Sequence, residues 1–281
     1  MTDIPPDFTP EHLPEPAPRL SRFAWLLLGI SVLVIATFIL APPWSLMGKA
    51  DVVGKGICHQ IPSHSLFFNN QQLPLCARCT GIYLGALWGF ILMMILGRFR
   101  AIRWPSAPIL AILISFTALM GIDGVNSYIG FFPALPRFYE SQNWLRLVTG
   151  TMHGLTMSVI LLPIISESLW HPSLLKNEPV IRNFKDFAML VAGAAVIILI
   201  VLTGQPFLLY PLSFLTTITV LLMLASVFTV FALFATGQMS SARTWQDTLP
   251  SLAIGLAGAI LIIGGMYFLR VSLIGDAPLA F

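Results

Sequence analysis

Residues 187–235 read FAMLVAGAAVIILIVLTGQPFLLYPLSFLTTITVLLMLASVFTVFALFA, two apolar runs without a single Asp, Glu, Lys or Arg, parted only by TGQP at 203–206. A helix needs about 20 apolar residues to cross a hydrocarbon core of about 30 Å. Each run meets that length, and neither has the polar face that a soluble helix or a half-buried strand would show. The stretch is therefore a pair of membrane spans, 187–203 and 207–235. Gly204 and Pro206 in the connection predict a tight antiparallel hairpin. The second run is overlong, with Pro211 near its start, and is expected to tilt.

The same criterion applied outward finds five more spans, at about 23–41, 80–97, 105–122, 145–166 and 249–269. The expected fold is all-α, a polytopic helical membrane protein with about seven transmembrane helices. Composition agrees, with 57% apolar and 10% charged residues and a mean hydropathy of +0.85. These values are far from those of a soluble domain. The net charge of +3 is scattered through short loops, which argues for a lipid bilayer as partner and against nucleic acid. Residues 1–22 are acidic and Pro-rich, cannot bury enough apolar area to fold alone, and are expected to be a disordered tail before the bundle at 23–281. The run that follows the tail is too long and too far in for a cleaved signal.

Seven spans place the tail and residues 98–104, 167–186 and 237–248 at one face, with nine of the fifteen Lys and Arg. By the positive-inside rule that face, and the N-terminus, is cytoplasmic, which puts the loop 42–79 outside a prokaryotic cytoplasmic membrane. Whichever side is which, alternation brings the loop 42–79, segment 123–144 and the start of the fourth span to one face. Cys58, His59, Cys76, Cys79, Asp123, Asn126, Asn143 and Arg146 are expected to converge there.

All three cysteines and two of the five histidines lie in CHQIPSHSLFFNNQQLPLCARCTGIYLG, residues 58–85. CARC closes a loop and opens a helix, so Cys76 and Cys79 point to the same side of a first turn. The positive end of the helix dipole and Arg78 between them favour thiolate. Two such thiolates can grip one soft ion or exchange as a disulfide. With Cys58 as third ligand and His59 as fourth, the set matches structural zinc, and His64 or the intramembrane His153 are alternative fourth ligands. The plain alternative is three small buried hydrophobes with no ligand. Asp123 faces the negative end of its own helix and needs a partner, for which Arg146 is the candidate. His153 lies about 10 Å from Arg146 along the fourth span. Gly81, Gly85 and Gly89 on the second span, with Gly150 and Gly154 on the fourth, predict close contact of those two helices.

The run at 58–85, with DG at 123–124 and RLVTGTMHG at 146–154, resembles an uncharacterised prokaryotic membrane-protein family, domain of unknown function 2085, over about residues 50–165. The resemblance implies a helical membrane protein with Cys58, His59, Cys76 and Cys79 as signature positions, and implies no activity. Members of that family commonly carry an arginine before the serine of the middle loop, where this chain has His64. The three helices within 187–269 lie beyond the resemblance.

These readings lead to an integral membrane protein with a Cys/His site for a metal ion, zinc first, at the extracytoplasmic edge. Either the site is catalytic or redox-active, with Asp123, Arg146 and His153 handling protons or substrate, or it is a structural staple. In the second case the protein is an accessory or assembly subunit of a larger membrane complex. A membrane thiol-disulfide role with quinone as electron acceptor is a further alternative, set back because such enzymes normally use two cysteine pairs. Transport lacks a broken-helix pair.

Overall fold

A computed structural model describes residues 21–130, 132, 136 and 138–275. All but the last two residues of the expected tail lie outside it. Ser21 caps helix α1 (Arg22–Leu40), its hydroxyl accepting from the Ala24 N–H at 3.1 Å. Among the described residues, seven helices are long and apolar enough to span a membrane. They are α1, α3 (Ala77–Ile95), α4 (Ala107–Ile129), α5 (Asn143–Leu169), α6 (Phe184–Leu202), α7 (Leu209–Thr236, with a 3₁₀ turn before it) and α8 (Trp245–Ile274). Each covers one of the seven apolar runs. Their outer faces carry exposed Leu33, Leu199 and Phe234, as expected of helices solvated by lipid.

The loop 42–79 holds structure that apolar-run length does not reveal. Helix α2 (Leu46–Ile57) has 12 residues, about 18 Å at 1.5 Å each, too short to cross. Strands β1 (Ser65–Phe68) and β2 (Gln71–Cys76) form an antiparallel hairpin. Its two-residue turn places Asn69 and Asn70 at φ 49° and 59°, the left-handed pair that a primed hairpin turn requires and that Asn tolerates. At the opposite face β3 (Ala101–Arg103) pairs in parallel with β4 (Lys176–Pro179), and Trp170 bridges Ala242. Buried Arg98 ties this face together through Glu178 at 3.4 Å and Asp186 at 3.7 Å.

Helices α3 and α5 form the centre of the bundle. A Cβ at Gly81 or Gly85 would strike the backbone of Leu147 or Thr151, and one at Gly150 or Gly154 would strike that of Arg78 or Ile82. The small-residue spacing thus produces the expected backbone contact between the second and fourth spans, where dispersion replaces the missing hydrophobic drive.

The hairpin expected of α6 and α7 is corrected. The two meet only near their joined ends, where Val201 shares an apolar cluster with Leu208, Leu209 and Leu212. Beyond that, α6 lies against α3 and α5 whereas α7 lies against α8. The cause is a large side chain. The Trp88 indole fills the space over Gly193, donates to the Leu190 carbonyl at 2.9 Å, and holds α6 on α3.

Candidate metal centre

Three elements deliver the cysteines. Cys58 is the C-cap of α2, Cys76 ends β2 and is the N-cap of α3, and Cys79 lies in the first turn of α3. Their sulfurs all lie within 4.8 Å of one another. Cys58 and Cys76 are buried and Cys79 is half-buried. Around them pack Val53, Leu75, Val220 of α7 and Ile263 of α8. The Cys76 N–H donates to Cys58 Sγ at 3.2 Å, a bond that strengthens as the sulfur gains negative charge.

The three thiols are not equivalent. Cys76 accepts from Cys58 and Cys79, which holds its thiol well below the ordinary cysteine value. Hydrogen bonding to Cys76 pushes the Cys58 thiol up to about 12.

Gln60, of the CHQ triplet, fixes the loop. It is buried with a left-handed φ of 51°. Its amide donates to the Pro74 carbonyl at 2.8 Å and to Asp51 at 3.1 Å, while Gln72 donates to its own carbonyl at 2.9 Å. Gly54 of α2 packs so close to the Pro74 carbonyl and the Gln60 amide that no Cβ fits. From α8, Arg270 donates to the carbonyls of Cys58 at 2.6 Å and His59 at 3.1 Å, completing the end of α2 in the way cations favour helix C-termini.

Among the described residues, the grouped donor atoms that could hold one ion belong to the cysteines alone. His59 turns its Nδ1 to the Ile61 N–H at 3.3 Å and packs edge-on to His64, with ring centroids 5.5 Å apart. An adjacent Cys-His pair would have to bend sharply to reach one ion, and here the ring folds back on its own backbone instead. Burial pushes both rings down, His64 to about 4, with Arg146 adding to the effect there. His153 is hydrogen-bonded to Thr117 of α4 at 3.1 Å, a core contact between α4 and α5.

The expected Asp123–Arg146 pair is also corrected. Asp123, 1% exposed, is the partner of Arg78. The Arg78 Nε donates to Asp123 Oδ2 at 3.1 Å, and its Nη2 reaches the same oxygen, the Asp123 carbonyl and Ser127 Oγ. Tyr139 O–H donates to Asp123 Oδ1 at 2.9 Å. The bonds of Arg78 thus go to Asp123 and Ser127 of α4. Arg146, 4% exposed, donates instead to Asn143 Oδ1 at 2.7 Å and Ser127 Oγ at 3.4 Å. Asn143 in turn donates to the Ser65 carbonyl at 3.0 Å, and Ser65 lies opposite Cys76 in the hairpin. Asn126 closes the network through the Tyr139 carbonyl and the Phe138 N–H. The residues that alternation assigns to one face thus share it, with different partners inside it. Of those missed, Arg270 had a signal, being a lone cation at the end of an apolar span. Gln60 and Tyr139 had none.

Fold and site define a helical membrane protein with seven candidate spans among the described residues and a three-thiol cluster at one end of the bundle. A family profile described as "Predicted membrane protein (DUF2085)" matches residues 58–160. The chain is 30% identical over 158 residues to "Uncharacterized protein MJ1492" of Methanocaldococcus jannaschii, an alignment covering 52% of this chain and 95% of that one. It is 32% identical over 104 residues to an "Uncharacterized protein" of Methanothermobacter thermautotrophicus, covering 37% and 83% respectively. The protein belongs to the DUF2085 family of predicted membrane proteins. No solved structure matches it.

Proposed function

We propose that Cys58, Cys76 and Cys79 hold one metal ion, zinc by donor type, at the extracytoplasmic edge of a prokaryotic cytoplasmic membrane. The observation that carries this reading is the mutual approach of the three sulfurs within 4.8 Å. Zinc–thiolate bonds of about 2.3 Å in a tetrahedron put the sulfurs about 3.8 Å apart. The cluster therefore needs to contract by no more than about 1 Å. Thiolates suit zinc and other soft ions. The cysteines provide three of the four positions that zinc takes, a donor number that suits a working centre as well as a staple.

The orientation rests on the Lys/Arg distribution. Of the six cations at the cysteine face, Arg78, Arg146 and Arg270 are engaged in the bundle edge, so the excess of loop cations at the other face favours a cytoplasmic N-terminus. A cysteine introduced near residue 70, in a chain with the three native cysteines replaced, should be labelled in intact cells by an impermeant maleimide.

The test of the centre is metal content with free-thiol titration on protein purified without chelator. About one equivalent of metal with three thiols shielded until chelator is added is the expected result. Cys58→Ser, Cys76→Ser and Cys79→Ser should each release the ion. A folded protein with well under one equivalent of metal would refute the reading, and a Cys76–Cys79 disulfide in it would favour thiol-disulfide exchange, with quinone as acceptor.

A further inference from the structure

At the face opposite the cysteines, an open cavity of about 350 Å³ lies where α3 ends and α8 begins. Met94 of the last turn of α3, Phe99 and Trp245 make its apolar wall, and Arg100 and Lys176 make its charged one. Met94 and Trp245 are exposed, so the apolar wall opens to the outside of the bundle at the ends of two spans. That is the level at which hydrocarbon gives way to headgroups and where Trp is favoured.

Neither cation is neutralised by the protein. The Arg100 guanidinium lies over the ring of fully buried Trp170, 4.3 Å from its centroid, and Trp170 meets Trp245 edge-on at 4.8 Å. This stack fixes the guanidinium by its face. The N–H donors at its edge have no hydrogen bond or ion pair among the described residues. Lys176 gives one donor to the Gly97 carbonyl at 3.0 Å and forms no ion pair with a described carboxylate. The carboxylates closest in sequence to the lining residues are taken. Glu178 is paired with Arg98 and Arg182, and acts on Lys176 only from beyond ion-pair distance. Asp247 accepts from the N–H groups of Arg243 and Thr244.

We propose that this cavity binds the phosphate of an anionic phospholipid, with Arg100 and Lys176 on the phosphate oxygens and the glycerol end of the lipid against Met94, Phe99 and Trp245. A guanidinium held by its face presents the planar fork that an oxyanion matches, and basic pockets between spans suit lipid headgroups. The volume is at the small end of the range for ligand pockets, about 300–1,000 Å³, which gives room for a headgroup while the chains stay in the bilayer. The apolar wall selects a lipid over a free oxyanion, because a soluble anion gains nothing from it. The site is remote from the sulfurs and holds with or without a metal on them.

The test follows the thermal unfolding midpoint of the full chain in phosphatidylcholine nanodiscs with a rising fraction of phosphatidylglycerol. A second series adds inorganic phosphate to phosphatidylcholine alone, with chloride at equal ionic strength as control. Saturable stabilisation by phosphatidylglycerol, without a matching effect of phosphate, is the expected result. Lys176→Gln should lower the apparent affinity about fivefold, the loss of one cation near the headgroups. Arg100→Gln should lower it about tenfold or more, the loss of a charge-assisted hydrogen bond. Lys185→Gln, at an exposed position in the first turn of α6 outside the cavity, should leave it unchanged. Should Arg100→Gln fail to fold, the exposed Lys176→Gln decides. Equal stabilisation by inorganic phosphate would identify a soluble oxyanion, and an equal loss in Lys185→Gln would identify diffuse surface charge. Either result, no preference for phosphatidylglycerol, or an undiminished preference in Lys176→Gln would overturn the proposal.

Discussion

Replacing Asp123 by Asn removes one charge from a side chain that is 1% exposed and leaves its shape. Three donor groups lose an ionised acceptor, namely Arg78 Nε, Arg78 Nη2 and the Tyr139 hydroxyl. Breaking a buried pair from one side costs about 3–5 kcal/mol, because the remaining charge stays desolvated. Arg78 keeps 16% of its side chain exposed, so part of its hydration returns and the lower end, about 3 kcal/mol, is expected. The cycle with Arg78→Gln should show a coupling of about 2 kcal/mol, and the cycle with Arg146→Gln about 0.5 kcal/mol, since Ser127 alone links Arg146 to the pair. Equilibrium unfolding in mixed micelles at fixed lipid composition measures both. Additive losses for Asp123 and Arg78, or a larger coupling to Arg146 than to Arg78, would refute the assignment.

Gly85→Ala and Gly154→Ala should each destabilise by about 1–3 kcal/mol by forcing α3 and α5 apart, seen as a lower unfolding midpoint. Gly121→Ala, where a Cβ meets nothing within 4 Å, should leave the midpoint unchanged. Arg270→Gln should strip the Cys58 and His59 carbonyls of their donor, cost about 1–3 kcal/mol, and speed thiol labelling of Cys58 in metal-free protein. His64 should make stability pH-dependent. Its folded value is lowered to about 4 from an ordinary 6.5, so its contribution is complete above pH 6.5. It is lost as pH falls from 6.5 toward 4, where the unfolded chain takes up a proton that the folded one does not. A His64→Gln variant should flatten unfolding midpoints across that window.

Span number and the contact of α3 with α5 were legible because both rest on local rules, apolar length and glycine spacing. The meeting of Asp123, Asn126, Asn143 and Arg146 at one face followed from alternation alone. Which of them pair did not follow, because pairing depends on helix rotation. Arg78 reaches Asp123 of α4 while its backbone lies against Gly150 of α5, a rotation that spacing does not give. The cysteines were recognisable from CxxC and a third cysteine, whereas the setting of His59 outside the sulfur group depends on a ring turned toward Ile61. The parting of α6 from α7 was hidden because a turn specifies where a chain reverses, and Trp88, a hundred residues away, decides where the returning helix lies.

The left-handed Gln60 has a consequence for the proposed metal centre. A non-glycine residue held at φ 51° costs about 1–3 kcal/mol, and it persists here because its amide is gripped by Pro74 and Asp51. Those grips are made by protein alone. The spacing of the sulfurs is therefore cut by the scaffold before any guest arrives, as the gap of a caliper is set before it is closed on an object. Were an ion bound, such a frame would favour the soft cation whose bonds demand the least contraction of that gap.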